Sequence, residues 1–227
     1  MNTGEKDIAW VFMDLEMKPV DKQFRRERDI CRQEVIEFGA VKLGEDLSEI
    51  DSFRTLVKPV FGEIPPRYAQ LTGITNDMVA EAPDFETVLG QFAAWCDDAE
   101  TVYAWSGSDL DQLRGEVKMK GMDFPLEALA GKWADFQKIF TRAVGLKREL
   151  SLEQAVNIAN INFEGHQHDA LWDARNTAEL FRIYRDEGRF NAIIGPLREA
   201  VNPKKQTSFT LADALGDALK NLNLPEE

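Results

Sequence analysis

The segment IAWVFMDLEM at residues 8–17 constrains the fold most, because it is a strongly apolar run that ends in acidic residues. Its aromatic and β-branched content predicts a buried strand. Alternate residues of a strand point to the same face, so the carboxylates of Asp14 and Glu16 would lie side by side. Two such carboxylates repel each other unless a cation lies between them. An acid pair with this spacing is common at solvated strand ends, so it indicates a metal site only in combination with other residues.

The remaining chain predicts two more strands, then helices, then one strand and further helices. β-Branched and aromatic residues predict strands at 35–43, 53–59 and 101–105, with a turn at the GED of 44–46. The charged stretch 18–29 has no periodicity and indicates a loop. Helical spacing predicts helices at 64–72, 84–98, 109–121, 133–144, 151–160 and 168–187. Gly73 is expected to end the first of them, and Ser151, with Glu153 or Gln154, to cap the start of 151–160. This order favours an α/β fold with a mixed β-sheet flanked by helices.

The length of 227 residues suits one domain with a tail. We expect the domain to span residues 1–187, and residues 188–227 to form a connector followed by a C-terminal amphipathic helix. That helix is predicted over 208–224, with one apolar face made of Leu211, Leu215, Leu219 and Leu222. The face could pack on the domain, or it could bind a protein partner or a second copy in a homodimer.

Composition predicts a chain that folds without cross-links. Hydrophobic residues make up 44% of the sequence, enough for a full core. Cys31 and Cys96 match no metal-ligand spacing, and two reduced thiols are the simpler reading. The N-terminal segment lacks the features of a signal peptide, and no stretch approaches the ~20 apolar residues of a membrane span. We therefore expect a soluble, cytoplasmic protein.

The formal net charge of −13 argues against long contacts with nucleic acid. Acids that bind divalent cations would, however, become part of a site that attracts phosphate. A cluster of basic residues also lies in one short stretch: Lys18, Lys22, Arg25, Arg26, Arg28 and Arg32. We expect this stretch, and Arg25 and Arg26 in particular, to contact the backbone of a short single strand.

Three further residues complete a candidate catalytic set. Asp109 follows the predicted strand 101–105 and begins a helix; Asp111 competes with it, but the helical pattern points Asp111 more outward. His168 and Asp173 lie five residues apart near the start of the last long helix.

The chemistry of phosphodiester hydrolysis needs such a set. Asp14, Glu16, Asp109 and Asp173 could hold two divalent ions that bind the attacking and leaving oxygens. Mg²⁺ and Mn²⁺ prefer oxygen ligands, which carboxylates supply. The imidazole of His168 could take the proton from the attacking water. Asp169, beside it, could orient His168 or lie exposed.

These residues resemble the DEDDh exonucleases of the ribonuclease T, ribonuclease H-like superfamily. The matching motifs are FMDLEM with Asp14 and Glu16, AWSGSDLDQL with Asp109, and HDALWDARNTA with His168 and Asp173. VIEFGAVKL and IPPRYAQLTGITNDMV also look like the family. The most similar branch includes the three-prime histone mRNA exonuclease and sporulation-inhibitor-like proteins. In that branch the second motif has glycine where this chain has Ser106.

The resemblance covers residues 7–187 and implies a ribonuclease H-like fold, two Mg²⁺ or Mn²⁺ ions, and release of 5′-mononucleotides from a 3′ end. It also implies that Met17, Leu71, Thr72 and Ile74 line the pocket of the terminal nucleotide. For Leu71 and Ile74, plain core packing is an equal alternative.

Three functions stay open at this point. The first is an exonuclease that acts on single-stranded RNA or short oligonucleotides. The second is a DNA 3′–5′ exonuclease for proofreading, repair or defence; the two differ in whether a ribose 2′-hydroxyl is bound. The third is a nucleic-acid-binding module without catalysis, which the presence of all five expected residues disfavours.

Overall fold

The computed structural model describes residues 9–201 of the chain. These residues contain five strands: β1 (Trp10–Pro19), β2 (Gln33–Leu43), β3 (Glu49–Leu56), β4 (Thr101–Ala104) and β5 (Trp133–Asp135). They form one sheet in the order β3-β2-β1-β4-β5. β1 runs antiparallel to β2 and parallel to β4, while β2 and β3 are antiparallel and β4 and β5 are parallel. The predicted mixed sheet is confirmed.

Helices cover both faces of the sheet and occupy most of the remaining described chain. They are α1 (Arg25–Ile30), α2 (Pro66–Thr72), α3 (Asn76–Val79), α4 (Phe85–Trp95), α5 (Ser108–Met119), α6 (Leu126–Ala130), α7 (Phe136–Val144), α8 (Leu152–Ile158), α9 (Ala170–Arg185) and α10 (Glu187–Val201). The expected caps are present. Gly73 ends α2 in the left-handed conformation with φ of 74°, and Ser151 begins α8 with a capping box to Gln154.

β1 separates two apolar cores, because its side chains alternate between the faces of the sheet. Trp10 and Phe12 pack in the core that includes Phe181 of α9. Val11 and Met13 pack in the opposite core, against α4 and its neighbours. Asp14 and Glu16 continue the face of Trp10 and Phe12, so their side chains lie on the α9 side of the sheet. Beyond Met13, β1 extends past its pairing with β4, which leaves room for the start of α5.

Four local predictions were wrong. The charged stretch 18–29 is not all loop, because β1 continues to Pro19 and α1 begins at Arg25. The predicted helix over 133–144 begins with the short strand β5, and α7 starts only at Phe136. β3 lies at Glu49–Leu56 rather than at 53–59. α9 begins at Ala170 rather than at 168.

A further difference concerns the expected connector at 188–203. Most of it is α10, which packs on the domain through Phe190 and Ile194, both buried. The ring of Phe190 contacts those of Phe140 and Tyr184. The apolar residues of this helix therefore extend the core instead of bridging to a tail. The helix predicted over 208–224 lies outside the described residues. Among residues 9–201, no helix has the length and apolar character required to cross a membrane.

Candidate active site

The carboxylates of β1 lie where this strand changes its register with β2. Asp14 is paired with Gly39 and Glu16 with Glu37, and the register shifts between Glu16 and Met17. Such bulges redirect side chains and are frequent beside active sites. Glu16 is buried and Asp14 is half-buried, so both carboxylates lie at the edge of the core rather than in open solvent.

Gly39 allows α9 to approach this part of the sheet. A Cβ atom at Gly39 would lie 2.2 Å from the backbone carbonyl carbon of Ala170, the first residue of α9. No side chain fits that space, so only glycine permits this contact. The close approach brings the start of α9 beside Asp14, the residue paired with Gly39. Sequence reasoning had no local signal for this role of Gly39.

The start of α9 carries the predicted His168 and Asp173. His168 has φ of 63°, in the left-handed region that few non-glycine residues adopt. Its amide donates to Oδ2 of Asp173 at 3.1 Å. One ligand atom from each of Glu16, His168 and Asp173 lies within 4.8 Å of the others. The fold thus brings the first predicted motif and the last one together at a single place.

Asp109 reaches the same region from α5. It is 5% exposed, in the first turn of the helix, whereas the side chain of Asp111 is 81% exposed and faces Arg114. The structure therefore places Asp109, and not Asp111, among the buried acids. Ser106 stands in the place of the expected glycine. Gly107, the next residue, has φ of −73°, which any residue can adopt.

Crowding and burial disfavour the charged forms of these acids. Burial raises the pKa of Asp14 well above its usual range, and the carboxylate of Asp109 raises it further. Burial raises the pKa of Glu16 to about 8, with Asp173 as the next cause. Burial raises the pKa of Asp109 to about 7, although backbone hydrogen bonds oppose the shift. It also raises the pKa of Asp173 to about 7, against the hydrogen bond from His168. The site therefore holds protons unless a cation compensates the charges.

The residues present fit a divalent cation. Oδ1 of Asp173 is buried and has no hydrogen-bond partner among the described residues. An unsatisfied buried acceptor costs roughly 1–3 kcal/mol, which a metal ion bound to that oxygen would remove. A donor set dominated by carboxylate oxygens suits Mg²⁺ or Mn²⁺.

A second polar cluster, which the sequence did not predict, lies beside these acids and consists of Glu37, Arg54 and Asp169. Glu37 of β2 is 1% exposed, and its Oε1 accepts from Nε of Arg54 on β3 at 2.7 Å. A terminal nitrogen of Arg54 donates to Oδ2 of Asp169 at 2.8 Å. Asp169 is therefore neither free in solvent nor shown orienting His168, because it forms an ion pair with Arg54.

A cavity of about 400 Å³ opens beside this cluster, and three of the predicted substrate-binding residues line it: Leu71, Thr72 and Ile74. Arg54 and Asp169 also line it. Leu71 is exposed, whereas Ile74 is buried in a small core with Ile36, Ile64 and Val79. The two alternatives for Ile74 thus coexist: the residue packs in the core and also borders the cavity. Met17 is half-buried and packs against the core on the α4 side.

The basic residues predicted to contact a strand lie partly on the surface and partly in the interior of the protein. Arg25 and Arg26 are exposed on α1. Lys18 is fully buried; its Nζ lies 2.7 Å from Glu34 and donates to the carbonyl of Phe61. The prediction that Lys18 belongs to the basic cluster contacting a strand was therefore wrong, because Lys18 forms a buried ion pair with Glu34.

Comparison with known proteins identifies the family. The RNase T family model, described as an exonuclease, matches residues 11–181. ERI1 exoribonuclease 2 of Danio rerio is 31% identical, with 80% of this chain and 37% of that protein covered. DNA polymerase III subunit epsilon of Aquifex aeolicus (strain VF5) is 35% identical, with 74% of this chain and 79% of that protein covered. The chain thus spans little more than a third of the zebrafish relative.

The fold has a matching solved structure, the nuclease domain of 3'hExo, a DEDDh family member bound to rAMP. The two share a TM-score of 0.67 at 21% identity, with 82% of this chain and 96% of that chain covered. The resemblance predicted from the motifs is confirmed, since the family model spans more than half of the sequence: the chain belongs to the RNase T exonuclease family.

Proposed function

We propose that this protein is a metal-dependent 3′–5′ exonuclease that releases 5′-mononucleotides from single-stranded RNA or short oligonucleotides. The observation that carries the proposal is the convergence of Glu16, His168 and Asp173, with ligand atoms within 4.8 Å of one another. Asp14 and Asp109 are close enough to this group for their charges to act on it. Family membership supports the same reaction.

Asp14, Glu16, Asp109 and Asp173 would hold two divalent cations, Mg²⁺ or Mn²⁺, which when bound supply charge neutralisation for the reacting phosphate. The raised pKa values of the carboxylates provide the reason, since four acids so close together, two of them buried and two half-buried, can all be ionised only beside positive charge.

His168 would take the proton from the attacking water. Its side chain is exposed at the border of the site, so the imidazole can accept a proton on one side and release it to solvent. The hydrogen bond from its amide to Asp173 holds the backbone that carries the imidazole. A neutral imidazole in this place would serve as the general base.

The cavity beside Leu71, Thr72 and Ile74 would receive the 3′-terminal nucleotide. Its volume of about 400 Å³ suits one nucleotide rather than a long strand. Met17, which packs on the α4 side of the sheet, does not line this cavity, and its role in substrate binding stays a prediction from the sequence. Arg25 and Arg26 would contact the strand backbone. The net charge of −13 supports a short footprint at the 3′ end.

RNA is the substrate we favour, because the zebrafish relative is named an exoribonuclease and the structural neighbour holds rAMP. A DNA 3′–5′ exonuclease is the alternative, since the Aquifex relative is a DNA polymerase subunit. A protein partner or second copy bound through the predicted helix 208–224 stays a prediction from the sequence, as does a cytoplasmic location.

A panel of 3′-tailed RNA and DNA oligonucleotides, each assayed with Mg²⁺ and with Mn²⁺, tests the proposal. We expect mononucleotide release from 3′-hydroxyl single strands, faster on RNA, and none with EDTA. Asp14→Ala serves as the inactive control. Faster release from DNA would favour the alternative, and binding without hydrolysis under every condition would favour a nucleic-acid-binding module.

A further inference from the structure

Arg54 joins two carboxylates that come from distant parts of the chain. Its Nε lies 2.7 Å from Glu37, and one terminal nitrogen lies 2.8 Å from Asp169. Arg54 is on β3, Glu37 is on the neighbouring strand β2, and Asp169 immediately precedes α9. A guanidinium group suits this arrangement because its donors form a rigid planar fork.

Both carboxylates also accept hydrogen bonds from the first turn of α9. Oε2 of Glu37 accepts from the amide of Ala170 at 3.3 Å, and Oδ1 of Asp169 accepts from the amide of Trp172 at 3.2 Å. These amides have no partner within the helix. The guanidinium group of Arg54 therefore holds both of the side chains that cap α9.

We propose that Arg54 is a positioning residue for catalysis, which fixes the start of α9 and thereby sets His168 and Asp173 against the carboxylates of β1. The inference rests on the proposed exonuclease function. His168 lies one residue before the cap, and Asp173 lies in the first turn. A displacement of about 1 Å in such a group can lower a rate by about 10²-fold.

Arg54→Met should also lose some stability, because the side chain of Arg54 is 46% exposed but Glu37 is 1% exposed and would lose the cation beside its buried carboxylate. Rates are therefore compared under conditions in which the variant is fully folded, so that a loss of kcat reports positioning and not unfolding. Arg54 also borders the cavity proposed for the terminal nucleotide. Direct contact with the nucleotide would instead appear as a rise in KM.

Arg175 offers a matched control. It lies on α9 and forms an ion pair with Glu49 of β3, with two nitrogen–oxygen distances of 2.8 and 3.3 Å. It therefore links the same two elements as the Arg54 cluster, but it caps neither Ala170 nor Trp172. The guanidinium of Arg175 also lies over the ring of Trp172, 5.0 Å from its centroid, so Arg175→Met removes an ion pair and this ring contact but leaves both capping hydrogen bonds of the helix in place.

The kinetic test compares Arg54→Met with Arg175→Met in the full chain on a 3′-hydroxyl oligoribonucleotide. We expect Arg54→Met to lower kcat by about tenfold or more and to change KM by less than about threefold. Arg175→Met should keep both within about twofold. Unchanged kcat in Arg54→Met, or a defect confined to KM, would overturn the positioning role.

A second readout does not depend on activity. Amide hydrogen exchange at Ala170 and Trp172 should be faster in Arg54→Met than in wild type, whereas exchange at Ala170 should be unchanged in Arg175→Met. Equal exchange in all three proteins would overturn the inference. If wild type lacks nuclease activity, the proposed function fails, while hydrogen exchange still decides the role of Arg54.

Arg54→Lys guards against misfolding of the methionine variant. Lysine keeps a positive charge beside Glu37 but lacks the planar fork that spans two carboxylates. We expect reduced kcat and faster exchange at Trp172 in a stably folded protein. Full restoration of kcat by lysine would overturn the bridging geometry and leave only a role for charge.

Discussion

The backbone amide of His168 donates to Oδ2 of Asp173 at 3.1 Å, which ties the proposed base to a proposed metal ligand. His168 holds φ of 63°, a conformation that costs a non-glycine residue roughly 1–2 kcal/mol. The interaction with Asp173 offsets this strain. The carboxylate of Asp173 thereby has two roles. Its Oδ2 holds the backbone that carries the imidazole. Its Oδ1 has no hydrogen-bond partner among the described residues and is available to a cation.

Removing the imidazole should affect the chemistry and not the fold. His168→Ala keeps the amide that donates to Asp173, so we expect a stable protein with kcat lowered by about 10²–10⁴-fold. Steady-state kinetics at saturating oligonucleotide measure the effect. His166 lies two residues away and lines the cavity proposed for the terminal nucleotide, so His166→Ala should change KM but keep kcat within about threefold of wild type. Wild-type kcat in His168→Ala would remove His168 from the mechanism.

The metal-free protein should lose stability as pH rises. The pKa values of Glu16, Asp109 and Asp173 are raised to about 8, 7 and 7, so between pH 5 and 8 the folded state binds more protons than the unfolded state. The free energy of unfolding must then fall with increasing pH across this range. Thermal unfolding in EDTA should therefore give a Tm that decreases from about pH 5 to about pH 8.

Two additions sharpen this experiment. Asp109→Asn removes one titrating group and should flatten the decrease, and excess Mn²⁺ should raise the Tm most at the alkaline end. A Tm in EDTA that is constant or rises over this pH range would contradict the electrostatic account of the site.

The close approach of β2 and α9 should make Gly39 intolerant of a side chain. Gly39→Ala places a Cβ 2.2 Å from the backbone of Ala170, so the helix must move. We expect a loss of about 1–3 kcal/mol in the free energy of unfolding, together with reduced kcat. Gly90→Ala is the matched control, because Gly90 lies within α4 and its added Cβ would meet nothing within 4 Å.

Gly90→Ala should stabilise the protein by about 0.5–1 kcal/mol, since alanine favours a helix more than glycine does. Urea unfolding of both variants measures the difference. A Gly39→Ala protein as stable and as active as wild type would show that α9 does not need this contact.

The exposed arginines of α1 should appear in the salt dependence of binding. Charge reversal of both Arg25 and Arg26 to glutamate should weaken binding of a single-stranded oligonucleotide to catalytically inactive Asp14→Ala protein. It should also reduce the slope of log K against log salt by about 0.7 for each lost phosphate contact. Reversal of Lys147 and Arg148, another exposed basic pair, is the control. An unchanged slope after reversal in α1 would make that helix a solvated surface.

The sequence predicts best what depends on local periodicity. The alternation of β1 places Asp14 and Glu16 on one face, and helical spacing alone separates the inward Asp109 from the outward Asp111. Glycine and serine at helix ends predict the caps at Gly73 and Ser151. These features depend only on residues that are close together in the sequence.

What the sequence does not predict depends on contacts between distant segments. β5 has only three residues, and it forms a strand because β4 lies beside it. Lys18 is buried because its ammonium group forms an ion pair with the buried carboxylate of Glu34. Glu37 and Arg54 appear as ordinary strand residues until the start of α9 lies against them. No local pattern carries that information, which is why the sequence predicts the acids of the candidate site but not the cluster of Glu37, Arg54 and Asp169 beside them.

The central claim is best tested by the products formed from matched oligoribonucleotides with a free and a blocked 3′ end, incubated with Mn²⁺ and with wild-type or Asp14→Ala protein. The account predicts stepwise release of 5′-mononucleotides by wild type from the free 3′-hydroxyl, none from the blocked end, and none by the variant at equal concentration. Internal cleavage, shortening of the blocked strand, or undiminished release by Asp14→Ala would contradict it.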